Sequence, residues 1–232
     1  MIWNLSSFIN DPIGTLIGTL KIYACLIPVI LISLTLHEWG HAFAAHKCGD
    51  DTARNLGRMS MNPFVHLDIL GFLALLFLGF GWAKPVPVNS RNFRNFKRGE
   101  AIVSLAGVFM NLLLAIAFSL LTLFFLWLSV HRDDAWLNSE YLWLILYYGI
   151  SINITLMLFN LLPIYPLDGY HIFELLLARA LPAKFFFFMR KYGRYILIVV
   201  LLLINRFGFS PASLLSGFIW DKLPELARAL FL

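Results

Sequence analysis

The sequence predicts an all-α, polytopic membrane helix bundle of about four to six spans, with a short re-entrant or extended segment between the first confident span and the next. Three observations carry this. Of the 232 residues, 60% are apolar and 13% charged, against roughly 25% charged in a soluble domain. Residues 101–130 and 141–167 contain no Asp, Glu, Lys, Arg or His, and each run exceeds the ~20 apolar residues that cross a bilayer. The basic residues gather in the loops between apolar runs, where positive-inside topology puts them. A net charge of +5 distributed in this way argues for a lipid partner and not for nucleic acid.

Segment 1–20 is moderately apolar, with Asn10-Asp11-Pro12 as a break. It lacks a basic n-region and a small-residue cleavage site, so no cleavable signal peptide is expected. Gly14 and Gly18 form one small-xxx-small pair, a packing signal too slight to prefer over a plain apolar helix. From Ile22 to Leu36 no residue is charged, and the apolar run continues in helical style to about His46. This is the first confident span. Cys25 lies in it and Cys48 just beyond it, so two reduced, unpaired thiols are expected.

The stretch Ile69 to Trp82 is too short for a crossing and suits a membrane-dipping segment. Its flanks agree: Lys47, Arg54 and Arg58 precede it, and Lys84, Arg91, Arg94, Lys97 and Arg98 follow. Both loops are therefore read as cytoplasmic. Pro85-Val86-Pro87-Val88 reads as extended backbone, because Pro holds its neighbour in β or polyproline geometry. Residues 101–130 then cross outward to a loop holding Arg132 beside Asp133, Asp134 and Glu140, and 141–163 return inward. A basic region follows, with Arg179, Lys184, Arg190, Lys191 and Arg194. Tyr195 to Ile204 is a short run unless it borrows from 185–189. Ser210 to Leu232 reads either as a short span or as a surface-lying helix. No repeat, low-complexity tract or long linker argues for a second domain.

The segment Leu36-His37-Glu38-Trp39-Gly40-His41 carries the chemistry. Histidines four apart on a helix share a face, so one Zn²⁺ at ~2.0–2.1 Å can reach both rings. Glu38 lies roughly 100° around the helix from His37, placing its carboxylate beside the metal as a base for water without ligating it. Glu38 is the only Asp or Glu between Ile22 and Cys48, and an ionisable group inside a span points to function by default. The competing reading is a His–Glu cluster that fastens helices.

Catalytic zinc needs a third protein ligand and an open position. The best source is Asn160-Leu161-Leu162-Pro163-Ile164-Tyr165-Pro166-Leu167-Asp168-Gly169, where Asp168 is the only carboxylate between Glu140 and Glu174. Irregular backbone at membrane depth is tolerated where it lines a cavity or is buried in protein. Asp168 could equally cap the helix that begins near Tyr170, and the two roles do not exclude each other.

HEWGH in a span, NPFVHLD at 62–68, GWAKPVPVN at 81–89, SLAGVFMN at 104–111 and NLLPIYPLDG at 160–169 together resemble the site-2 protease family, in its compact prokaryotic members without a PDZ domain. The matching blocks run from about residue 30 to 172. The resemblance implies an intramembrane zinc metalloprotease with one zinc per chain, held by His37, His41 and Asp168. It makes Glu38 the residue that activates water and maps an oxyanion-stabilising role onto Asn160. With no long linker, a single membrane domain is expected over 1–232, with a core at 21–175 and C-terminal helices over 180–232 at its periphery. The substrate would be a transmembrane protein, the lipid bilayer the surroundings, and the active site would face the cytoplasm. Two departures, Val108 where relatives often have Pro and Gly40 where Ala is common, touch no ligand.

Other polar residues have two readings each. Asn111, inside a charge-free span, favours an interhelical bond over a direct active-site role. His66 and Asp68 favour local turn structure over buttressing the site. His171 either orients Asp168 or packs at a helix N-terminus. His46 and His131 suit solvated helix ends. The Trp and Tyr residues suit interfacial anchoring. Two further function classes would use the same His/Asp cluster: a metal transporter, for which no inverted repeat is visible, and a non-catalytic scaffold. Zinc flux without hydrolysis marks the first, and indifference to Glu38→Gln marks the second. The identity of the substrate and the oligomeric state lie beyond the sequence.

Overall fold

The computed structural model describes residues 10–78, 81–132, 134–207 and 211–231. Most of the expected N-terminal segment (1–9), Asp133 of the outer loop and residues 79–80 lie outside the described residues. The described residues are helical with no strand.

Helix α1 spans Pro12–Cys48. The Asn10-Asp11-Pro12 break is its start signal: Asp11 accepts from the Gly14 amide at 2.9 Å and Pro12 occupies the first turn, where a missing N–H costs nothing. It ends at Gly49, whose φ of 110° is the left-handed geometry that Gly adopts without strain. At ~1.5 Å per residue its 37 residues reach about 55 Å, beyond a ~30 Å hydrocarbon core. Among the described residues nothing approaches Gly18, so the Gly14/Gly18 pair shows no helix contact there.

Short helices α2 (Thr52–Asn55) and α3 (Pro63–His66) precede α4 (Ile69–Leu78). The chain then returns. The Lys84 amide donates to the His66 carbonyl at 2.8 Å, and a Cβ on Gly71 would strike the carbonyl of Trp82. The two ends of the apolar stretch thus lie side by side. Residues 83–89 carry no regular structure before a 3₁₀ turn at Ser90–Asn92.

Helix α5 (Phe96–His131), capped by the Asn95 side chain on the Arg98 amide, leads through a 3₁₀ turn (Ala135–Asn138) to α6 (Glu140–Asn160). Helices α7 (Asp168–Leu177), α8 (Ala183–Phe207) and α9 (Pro211–Phe231) follow. Among the described residues, α1, α5 and α6 are the three helices long and apolar enough to cross a membrane. The run at Tyr195 does borrow from 185–189, giving one 25-residue helix.

Helices α1, α5 and α6 pack on one another, with small residues at the crossings. A Cβ on Gly40 would meet Met110 and the Ala106 carbonyl, and one on Gly149 would meet the ring of Phe118. Close backbone approach is what drives association where lipid removes the hydrophobic term. Ala115, Ile150, Ile154, Ala212 and Leu223 form a core that joins α9 to α5 and α6. Tyr170 of α7, fully buried, packs on Phe186 and Met189 of α8. Cys25 and Cys48 are free thiols.

Candidate metal centre

His37 and His41 lie one turn apart on the buried face of α1. Each ring is held at Nδ1. His37 Nδ1 meets Asn111 Oδ1 at 2.6 Å, and His41 Nδ1 donates to the Val103 carbonyl at 2.8 Å. The opposite nitrogens face each other, 3.1 Å apart. Gly107 of α5 makes room for them, because a Cβ there would press on Nε2 of both rings.

Asp168 completes the group. It is the first residue of α7, and its Oδ2 lies 3.4 Å from His37 Nε2 and 3.3 Å from His41 Nε2. The capping alternative is not realised: Leu167 occupies the N-cap and no side-chain cap bond forms. Gly169 lets the start of α7 tuck beneath the carbonyls of Leu161 and Leu162, where a Cβ would collide. Proline-broken backbone after α6 thereby delivers the carboxylate to the depth of the histidines.

The residues fit a zinc ion. Four bonds of ~2.0–2.1 Å at tetrahedral angles put neighbouring ligand atoms about 3.3–3.4 Å apart. The three observed separations are 3.1, 3.3 and 3.4 Å. Asp168 Oδ2 is buried and accepts no hydrogen bond, a costly state for a carboxylate oxygen unless a cation or donor meets it. His37, His41 and Asp168 form the one metal-capable group among the described residues, and three such ligands would leave one of four tetrahedral positions open.

Glu38, on the same turn, stands beside this group. Its Oε2 accepts from the Val86 amide at 2.8 Å, and the contact is buried. Pro85 and Pro87 have no N–H to offer, so Val86 supplies the only amide within 85–87. The end of α1 is stitched to the chain that follows. Fully buried Asp50 accepts from the Asn89 amide and from Asn92 Nδ2, each at 2.7 Å, and from Thr52. The Arg94 amide also donates to the Cys48 carbonyl. These bonds set the register that lays Val86 on Glu38. Burial opposes the Asp50 charge, but the donors from Thr52, Asn89 and Asn92 together outweigh it and hold its carboxyl below the usual range.

The remaining candidates separate. Asn111 is fully buried and makes both kinds of contact, to His37 and to Asn153 of α6. Asn160, the last residue of α6, donates to its own helix at the Leu156 carbonyl, 3.0 Å away. His66 bonds the Ser60 carbonyl and Asp68 accepts from the Gly71 amide, which is local turn structure. His171 pairs with Glu100 of α5 at 3.0 Å, tying α7 to α5. Asn153, Ser33, Asp50 and the Val86 amide were not singled out from sequence. A polar residue in a charge-free run was the available signal for Asn153. A cavity of about 360 Å³ lies between α1, α4 and α6, reached by Leu34, Thr35, Gly71, Trp82, Thr155 and Phe159.

Residues 127–204, which include Asp168, match the family model described as peptidase family M50. Over 174 residues the chain is 40% identical to a Bacillus subtilis protein provisionally named zinc metalloprotease YwhC, covering 71% of this chain and 74% of that one. It is 34% identical over 192 residues to the Mycolicibacterium smegmatis protein provisionally named zinc metalloprotease Rip2, covering 77% and 68%. The Rip2 of Mycobacterium tuberculosis is 32% identical over 159 residues, covering 66% and 57%. No solved structure matches the chain.

Proposed function

The chain belongs to peptidase family M50, the site-2 protease family of membrane zinc metalloproteases, and on that premise we propose that it hydrolyses peptide bonds within or near transmembrane segments of membrane proteins. His37, His41 and Asp168 hold the zinc and Glu38 is the general base. The observation that carries the assignment is the convergence of three ligand atoms 3.1–3.4 Å from one another, one of them a buried carboxylate oxygen with no hydrogen-bond partner among the described residues.

Zinc held by His37, His41 and Asp168 would supply Lewis acidity toward a scissile carbonyl and would lower the pKa of a water toward ~7. The protein's residues do the rest. Glu38 takes the water's proton and hands it to the leaving amine. The Val86 N–H holds Oε2, leaving Oε1 for proton transfer. Asn160 has one amide N–H on the Leu156 carbonyl, and its second is the donor proposed for the developing oxyanion, an interaction worth a few kcal/mol. Extended backbone at 85–88 would pair with a locally unwound substrate segment by strand addition. A transmembrane peptide bond is otherwise shielded by its own helix.

The whole chain acts as one membrane domain, with α1, α5 and α6 as spans. The meeting of His66 with Lys84 and the basic residues on both flanks support a dipping segment at 69–82, with the active site opening to the cytoplasm. The test is Glu38→Gln. It should retain zinc and abolish cleavage of a membrane substrate in proteoliposomes. Undiminished cleavage would remove Glu38 from the mechanism.

A further inference from the structure

We propose that Asn153, on α6 and two hydrogen bonds away from His37, determines which ring nitrogen of His37 is free to bind zinc. The inference rests on the assignment of His37 as a ligand. It follows from the direction in which four buried bonds must run.

The Gly149 carbonyl can only accept. The Asn153 atom 2.8 Å from it is therefore the amide nitrogen, which also donates to Ser33 Oγ at 2.9 Å. The remaining Asn153 atom is Oδ1, an acceptor. It faces Asn111 at 2.9 Å, so Asn111 must present its nitrogen there and its Oδ1 on the other side. That oxygen meets His37 Nδ1 at 2.6 Å. An acceptor at this distance requires a hydrogen on Nδ1, which leaves the lone pair on Nε2. A fixed backbone dipole on α6 thus sets the tautomer of a ring on α1 through α5. Ser33, Asn111 and Asn153 are completely buried, so no bulk water competes for these groups. His41 needs no relay, because the Val103 carbonyl acts on its Nδ1 directly.

Ordinary interhelical bonding would be indifferent to direction. Here direction matters: with Asn111 reversed, its amino group would face Nδ1, and Nε2 would carry a hydrogen in place of the ligating lone pair. Asn153 is a positioning residue in this scheme, and ligand orientation by such partners typically changes metal affinity 10–100-fold.

The test uses the full chain purified in detergent and reads zinc affinity by chelator competition. His37→Ala comes first, and an affinity equal to wild type would overturn the ligand assignment and the relay with it. Given loss there, Asn153→Leu should bind zinc ~10–100-fold more weakly. Adding Asn111→Asp to Asn153→Leu should restore affinity to within about threefold of wild type, because a carboxylate accepts from Nδ1 whichever way it turns. Wild-type affinity in Asn153→Leu would overturn the relay. So would a double variant as weak as Asn153→Leu, since Asn153 would then act only in packing. Should Asn153→Leu not fold, Asn153→Ala reads the same requirement. It should lose affinity alone and regain it with Asn111→Asp, and wild-type affinity in Asn153→Ala would refute the scheme.

Discussion

Gly107→Ala isolates the geometry of the metal group from its chemistry, since no polar atom is removed. In an exposed helix interior this change favours folding by about 1 kcal/mol. At position 107 the added Cβ would lie 2.7 Å from His37 Nε2 and closer still to His41 Nε2. Reaching an ordinary 3.4 Å contact displaces the His37 nitrogen by about 0.7 Å, whereas zinc–ligand distances tolerate only ~0.2 Å. One histidine must therefore leave the coordination sphere, and zinc affinity should fall by at least ~100-fold, beyond the usual cost of disturbing an outer partner. Binding linkage converts this into a stability reading. At zinc equal to 100 times the wild-type Kd, the metal stabilises by about 2.7 kcal/mol, and a 100-fold weaker site retains about 0.4 kcal/mol. Thermal unfolding with and without zinc, alongside chelator competition, measures both quantities. A Gly107→Ala protein that binds zinc like wild type would refute the placement of α5 against the two rings.

Three further outcomes follow from the same geometry. Val86→Pro removes the amide donor on Glu38; a hydrogen bond to a charged group is worth about 1.5–3 kcal/mol. Cleavage kcat should therefore fall ~10–100-fold with zinc content unchanged, and equal loss of both would contradict the assigned role. Asp168→Ala should abolish high-affinity zinc binding while leaving α7 seated through Tyr170, and zinc content by metal analysis decides it. Asp50 is held below its usual carboxyl range, so its contribution to stability is complete above the unfolded pKa of ~4 and declines as pH drops through that value toward the folded one. Unfolding measured from pH 7 to pH 3 should show this decline in wild type and less of it in Asp50→Asn.

Much of the molecule is legible in its sequence. The charge-free run 101–130 falls within α5, and 141–160 of the run expected to end near Pro163 falls within α6, because a lipid-exposed backbone must be helical to satisfy its own polar groups. His37 and His41 were legible because four residues make about one turn, a property of the helix alone. Asp168 was a candidate with two readings, ligand or helix cap, and the structure puts Leu167 at the cap and Oδ2 within 3.4 Å of both rings. Asn111 was read as an interhelical residue, and its bond to His37 lay hidden because 74 residues separate the two.

What the sequence by itself determined is the material that local rules encode: apolar length, the one-turn spacing of His37 and His41, and the break at Asn10-Asp11-Pro12 where α1 starts. What only the tertiary structure decided is direction and register between elements. The Val86 amide on Glu38, the polarity running from Gly149 to His37, and the space that Gly107 leaves for two imidazoles all depend on how separate segments approach. No periodicity within one segment specifies such an approach. Helix crossings are set by side-chain packing along the whole contact, and a hydrogen bond 74 or 48 residues apart in sequence exists only once that packing is complete.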